Sequence, residues 1–125
     1  MAKFYLCEKC KKIVEVVHET PVPLMCCGQK MTELVANTED AATEKHVPVV
    51  SVEGNKVKIE VGSVEHPMME KHYIMFIVLE TNKGIHKKYL NPGEKPVAEF
   101  ALLEDEKPVI AYEYCNLHGL WSKEF

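Results

Sequence analysis

Five cysteines and six histidines in 125 residues are the side chains most able to do chemistry, and most of them fall in recognisable spacings. Cys7-Glu8-Lys9-Cys10 is a C-x2-C loop, and Cys26-Cys27-Gly28 follows after fifteen intervening residues. A C-x2-C loop lets two thiolates meet one ion while backbone N–H groups turn toward the sulfurs, and a distant second pair completes a tetrahedron. Because the second pair is adjacent, the tetrahedron is expected to be distorted, and Gly28 suits the tight turn that follows it. A disulfide from Cys10 to a neighbour, or four buried thiols, would be the plainer readings, but neither accounts for the spacing. Four thiolates suit zinc and iron alike. A site closed in this way can hold a fold or pass electrons, but it has no position for a substrate.

The second group is looser. Glu44-Lys45-His46-Val47-Pro48, His66-Pro67-Met68-Met69-Glu70-Lys71-His72 and Cys115-Asn116-Leu117-His118-Gly119 supply four imidazoles and a thiol, with Trp121 just beyond. A lone histidine is most often an ordinary surface or core residue. Here C-x2-H combines with H-x5-H, and all five donors fall at strand ends or loops, where one rim of a β-structure can gather them. His18 belongs to no motif and reads as solvent-facing. His86, beside Lys87-Lys88, reads as a solvent-facing loop residue. Tyr114 and Trp121 are expected to pack around the site, Asn116 to bond backbone at the ligand turn, and Met68 and Met69 to lie in the core or at the rim.

The elements that must position these groups are short. Four of the cysteines fall within residues 7–27 and the fifth stands alone at Cys115. That break divides the chain into residues 1–36 and 37–125. The first part has the β-like runs Lys3 to Leu6 and Ile13 to Val17 and the turn-prone Thr20-Pro21-Val22-Pro23. So short a piece cannot bury enough surface to fold without a staple, which a metal would supply. Asn37 to Lys45 is a polar, acidic join with a possible helical turn at Ala41-Ala42. Val47 to Val52 then reads as a strand, Glu53-Gly54-Asn55-Lys56 as a hairpin turn, and Val57, Ile59 and Val61 alternate with Lys58 and Glu60. Tyr73 to Leu79 is apolar throughout, as in a strand covered on both faces. Ile85 to Leu90, Val97 to Leu103 and Val109 to Tyr114 follow, with Asn91-Pro92-Gly93 and Glu104-Asp105-Glu106 as turns. Six or seven strands and no long helix make an all-β protein, with a small β-sandwich as the natural architecture.

Composition sets limits on the partners. Apolar residues make up 46% of the chain and charged ones 27%, enough for a packed core. The net charge is −4 and there is no arginine, which argues against a nucleic-acid surface. No apolar run is long enough for a membrane helix, and Met1 to Leu6 show no signal-peptide stretch. An odd number of cysteines makes a poor disulfide framework. A soluble protein of the cytoplasm is expected.

Taken together, the Cys7/Cys10/Cys26/Cys27 set and the Glu44–Pro48, His66–Tyr73 and Cys115–Gly119 motifs resemble desulfoferrodoxin, the two-iron form of superoxide reductase. The resemblance spans essentially the whole chain. It implies a desulforedoxin-like domain followed by an immunoglobulin-like β-sandwich, with two iron ions per chain. The first is bound by the four early cysteines. The second is held by His46, His66, His72 and His118 as equatorial ligands and by Cys115 as the axial thiolate. It further implies that Glu44 occupies the sixth position in the ferric state, that Lys45 lies beside the opening, that a small iron protein such as rubredoxin donates electrons, and that the chain forms a homodimer. Two departures concern only the small domain: Lys11 stands where relatives often carry glycine, and Glu19 to Pro23 replaces a glycine-rich stretch.

The chemistry so implied suits the residues. Reducing superoxide to hydrogen peroxide takes one electron and two protons. Neutral imidazoles favour ferrous iron, and a thiolate pushes electron density toward the opposite side. The substrate is a small anion, and Lys45 supplies a positive charge that the chain as a whole lacks, so attraction must be local and salt-sensitive. In haem enzymes a thiolate favours O–O cleavage. A shallow, wet site, with water organised by Lys45 and product displaced by Glu44, would protonate the substrate early and leave that bond intact.

Overall fold

The computed structural model describes residues 1–40 and 45–125, so the possible helical turn at Ala41-Ala42 lies outside the described residues. Every regular element among them is a strand. The chain divides into two compact units, Met1–Val35 and Ala36–Phe125.

The first unit is built from five very short strands. β1 (Phe4–Leu6) pairs with β2 (Ile13–Glu15) on one side and with β5 (Thr32–Glu33) on the other, while β3 (Met25–Cys26) and β4 (Gln29–Lys30) form a two-residue hairpin. Its buried apolar side chains are few, Phe4, Cys7 and Met31 among them. That is too little apolar surface to offset chain entropy, so the unit depends on what its cysteines hold.

In the second unit β6 (Pro48–Glu53), β7 (Lys56–Val61) and β10 (Val97–Ala101) form one antiparallel sheet in the order β10-β7-β6. β8 (Ile74–Thr81), β9 (Ile85–Tyr89), β11 (Pro108–Cys115) and β12 (Gly119–Glu124) form the other, in the order β12-β11-β8-β9. Side chains of the two inner faces meet as in a sandwich. Val57, Ile59 and Val61 from β7 pack with Ile77, Leu79, Ala111 and Cys115 from the facing sheet. The alternation expected for β7 is present, and its wet face carries a Lys58–Glu60 ion pair at 3.3 Å. β8 is buried at four successive positions from Phe76 to Leu79, as its uninterrupted apolar run requires. β12 is a seventh strand whose mixed composition gives little periodic signal. The polar join also begins earlier in the sandwich than its composition suggests: the Asn37 N–H donates to the Leu120 carbonyl, and the Ser122 N–H donates to Asn37.

Connectivity places three segments at one end. His46 lies two residues before β6, the loop after β7 carries His66 and His72, and the tight turn from β11 to β12 carries His118, with Cys115 as the last residue of β11.

At the opposite end His86 is on strand β9, as the Ile85 to Leu90 run requires and contrary to its reading as a loop residue, and Glu106, which ends a run of three acidic residues, is buried. The Glu106 carboxylate accepts bonds from Thr81 Oγ1 at 2.6 Å, His86 Nε2 at 2.8 Å and the Leu103 N–H at 3.1 Å. These bonds tie the edge strand β9 and the turn before β11 to the end of β8. The side-chain partners lie 25 and 20 residues away in sequence, so no local pattern reveals them.

Candidate metal centres

In the first unit Cys7, Cys10, Cys26 and Cys27 converge with their sulfurs within 4.8 Å of one another. Cys10 and Cys26 stand 3.7 Å apart and Cys26 and Cys27 3.9 Å apart. A regular tetrahedron with metal–sulfur bonds of about 2.3 Å has edges of about 3.8 Å. The adjacent pair is therefore not pinched. The backbone absorbs the constraint: Cys27 takes a left-handed φ of 52° and Gly28 follows at 74°. The Cys10 N–H points at Cys7 Sγ at 3.5 Å and is the largest cause of a Cys7 thiol lowered to about 6. Hydrogen bonds with Cys7 and Cys10 push Cys26 up to about 12 and also raise Cys27. Four thiols crowded in this way share one negative charge far more readily than four, and a cation at their centre removes the conflict.

At the end of the sandwich the donor atoms of His46, His66, His72, Cys115 and His118 also lie within 4.8 Å of one another. His66 donates from Nδ1 to the Pro67 carbonyl at 2.7 Å, which leaves its Nε2 lone pair facing inward, 3.1 Å from His46 Nε2. Two nitrogens about 2.1 Å from one metal at a right angle stand about 3.0 Å apart. Cys115 Sγ is 3.7 Å from His118 Nδ1. Four imidazoles and a thiolate at these spacings fit a mid-series transition metal. Exposure is uneven: His46, His66 and Cys115 are buried, His72 is half-buried and His118 is exposed, so the centre sits at the surface with one wet side.

The surroundings fix the rings. Trp121 stacks on His46 and donates from Nε1 to the His118 carbonyl at 3.1 Å. Asn116 bonds backbone as its place in the motif suggests, accepting from the Tyr73 N–H and donating to the Lys71 carbonyl, each at 3.0 Å. Those bonds lock the His118 turn to the His72 loop. Asp40 accepts from the N–H groups of both His46 and Val47. Glu113, two residues before Cys115, is fully buried, and burial together with the nearby Asp40 pushes its carboxyl well above the usual range.

Known sequences and structures carry the same two parts. The pattern of the desulfoferrodoxin N-terminal domain matches residues 1–34, and that of desulfoferrodoxin matches residues 38–124. The chain belongs to the desulfoferrodoxin family. It is 50% identical over 118 residues to a desulfoferrodoxin homolog of Archaeoglobus fulgidus, covering 94% of this chain and 93% of that one. It is also 50% identical over 120 residues to the desulfoferrodoxin of Syntrophotalea carbinolica, covering 96% and 94%. The crystal structure of the superoxide reductase from Treponema pallidum superposes with a TM-score of 0.86 at 37% identity, over 99% of this chain and 98% of that one.

Against that desulfoferrodoxin background, the Lys11 departure has a structural trace. Lys11 adopts a left-handed φ of 66° and donates its N–H to the Cys7 carbonyl at 2.8 Å. Of the two residues given catalytic roles by motif, Lys45 is half-buried next to His46, and Glu44 lies outside the described residues. Tyr114 stacks on Phe76, and His18 is exposed. Asp40 and Glu113 have no sequence signal of their own: one sits in an acidic stretch, the other in a strand otherwise rich in apolar residues.

Proposed function

We propose that this chain is a superoxide reductase carrying two iron centres, with residues 1–36 forming the four-cysteine iron domain and residues 37–125 the catalytic sandwich. The observation that supports it most is the convergence of four imidazoles and one thiolate from three separate segments at a partly exposed rim. The reaction is O2•− + e− + 2 H+ → H2O2. A ferrous ion in this donor set supplies the electron, with its potential set by the anionic sulfur and the neutral nitrogens.

The chain supplies the rest. His46, His66, His72, His118 and Cys115 would hold the iron, four neutral nitrogens and one anionic sulfur that would favour the ferrous state. The Lys45 ammonium would draw the anion in and order the water that delivers protons, and Glu44, one residue earlier in the sequence, would help release the product. His66 is held in one tautomer by the Pro67 carbonyl, so its inward nitrogen stays bare. The exposed side at His118 admits water, which protonates product early and spares the O–O bond.

The iron of the four-cysteine site is an accessory centre. Cys10 and Cys27 are exposed, which favours electron entry through their sulfurs from a small donor such as rubredoxin. Val17, Val22, Met25 and Val35 are exposed apolar residues on the first unit and favour a homodimer formed partly through it. We place the protein in the cytoplasm, a reducing compartment in which its five free cysteines stay available as metal ligands; no helix among the described residues is long and apolar enough to cross a membrane.

Metal analysis with visible spectra of the reduced and oxidised protein tests the reading. Two irons per chain and a thiolate-to-iron band that appears on oxidation are expected. A colourless protein holding only zinc would contradict it.

A further inference from the structure

We propose that Asp40 and Gly62 are positioning residues of the superoxide site, which together seat the Lys45–His46 segment: one carboxylate holds it and one absent side chain makes room for it. The inference rests on the superoxide reductase reading for its functional meaning and on geometry for its content. Neither residue touches superoxide or metal. Both act through Lys45 and His46.

Asp40 supplies the attachment. Its Oδ1 accepts from the His46 N–H and, at 2.9 Å, from the Val47 N–H, six and seven residues on. Bonds from backbone N–H groups to a carboxylate are among the stronger kinds. They also join the two ends of the stretch that contains Glu44 and Lys45. The backbone of a ligand is thus held on one side by Asp40 while its ring is held by the Trp121 stack.

Gly62 supplies the room. A Cβ at this position would stand 2.6 Å from the Lys45 carbonyl oxygen, 2.7 Å from its carbonyl carbon and 2.9 Å from its Cβ. Two of those three atoms are backbone and cannot swing aside. The glycine is therefore required by close approach, not by a turn. Gly62 also opens the loop that delivers His66. That loop is closed by the His66 N–H donating to the Val61 carbonyl at 3.0 Å, and its base is held by the Val61 N–H donating to Pro96, also at 3.0 Å. Through Gly62 the His66 loop rests directly on the Lys45 backbone, and the 3.1 Å separation of His46 Nε2 from His66 Nε2 is set across that contact. Any side chain at residue 62 must push the two segments apart. It then displaces a ligand pair and the steering ammonium together.

The test uses the full iron-loaded chain. Asp40→Ala removes the acceptor, Asp40→Asn keeps an oxygen in the same place, Gly62→Ala adds the clashing methyl, and Gly84→Ala is the control, since a Cβ at Gly84 meets nothing within 4 Å. Three quantities are read: hydrogen exchange at the His46 and Val47 amides, the thiolate-to-iron band, and the second-order rate with superoxide. Asp40→Ala is expected to keep its iron, exchange those two amides at least about tenfold faster, shift the band and lose about tenfold in rate, since misplacements near 1 Å can cost about a hundredfold. Asp40→Asn should return all three to within about twofold of the parent. Gly62→Ala should show the same shifted band and lowered rate, and Gly84→Ala no change. Asp40→Ala with parental exchange at His46 and Val47, or with parental band and rate, overturns the proposal. So does Asp40→Asn behaving as Asp40→Ala. Should Gly62→Ala fail to fold, the Asp40 pair decides alone. Failure of the functional reading is distinguishable, because the parent would then be inert toward superoxide while the exchange comparison still stands.

Discussion

The indole of Trp121 lies parallel to the imidazole of His46, with ring centres 4.7 Å apart and planes 14° from each other. It is the chain's sole tryptophan, so its fluorescence reports on one ligand of one centre. Removal of iron should raise the emission, and restoring iron to the histidine centre should quench it. Trp121→Phe keeps a stacking ring and should preserve the centre. Trp121→Ala should lower stability by about 3 kcal/mol through the lost buried ring, read by denaturant unfolding. Emission indifferent to iron would mean that the stack is not beside the metal.

Lys45 stands next to His46 in a chain whose net charge is −4. A local cation must therefore do the attracting, and its effect is screened by salt. Lys45→Ile should keep its iron, slow the encounter with superoxide by about tenfold, and show a flatter dependence of that rate on ionic strength. Stopped-flow mixing at several salt concentrations checks both. An unchanged salt slope would remove Lys45 from the role.

Lys11 occupies a left-handed conformation at φ 66°. For a residue with a Cβ this costs about 1–2 kcal/mol, which glycine avoids. Its ion pair with Glu8, 3.8 Å long and exposed at both ends, offsets little of that cost. Lys11→Gly should therefore stabilise the first unit by about 1 kcal/mol. Denaturant titration followed by the loss of iron absorption from the four-cysteine centre checks this, and a less stable variant would contradict the strain.

Glu106 is held down to about 2 from its ordinary 4.5, first by the Thr81 hydroxyl and then by His86 and the Leu103 N–H. A carboxyl lowered in the folded state contributes stability that is complete above its unfolded value and is lost as pH falls through its folded one. The window here runs from about pH 4.5 down to about pH 2. Glu106→Gln should flatten the fall in stability across that window, and His86→Ala should weaken the β9 edge without altering iron content. Loss of iron from His86→Ala would place that histidine in the ligand set.

Much of this was legible in the chain because metal donors and buried strands leave local traces. Cys7-x2-Cys10 and Cys115-x2-His118 are spaced by the reach of a turn, and Ile74 to Leu79 is apolar because both faces are covered. What stayed hidden depends on distant partners. Glu106 looks like the end of a wet acidic turn until Thr81 and His86 meet its carboxylate. His86 sits in a lysine-rich run because β9 is an edge strand with exposed side chains. Asp40 gains its role only when the chain folds back on His46, and Gly62 only when the Lys45 backbone comes against it. Nor does spacing alone show that Cys27 turns left-handed to bring two adjacent sulfurs to one centre.

The most direct test mixes the reduced, iron-loaded protein with superoxide and counts products while the histidine centre is followed by its visible band. The expected result is oxidation of that centre with one hydrogen peroxide formed per superoxide and no oxygen released. Oxygen appearing alongside peroxide in equal amounts, or a histidine centre that superoxide leaves reduced, would contradict it.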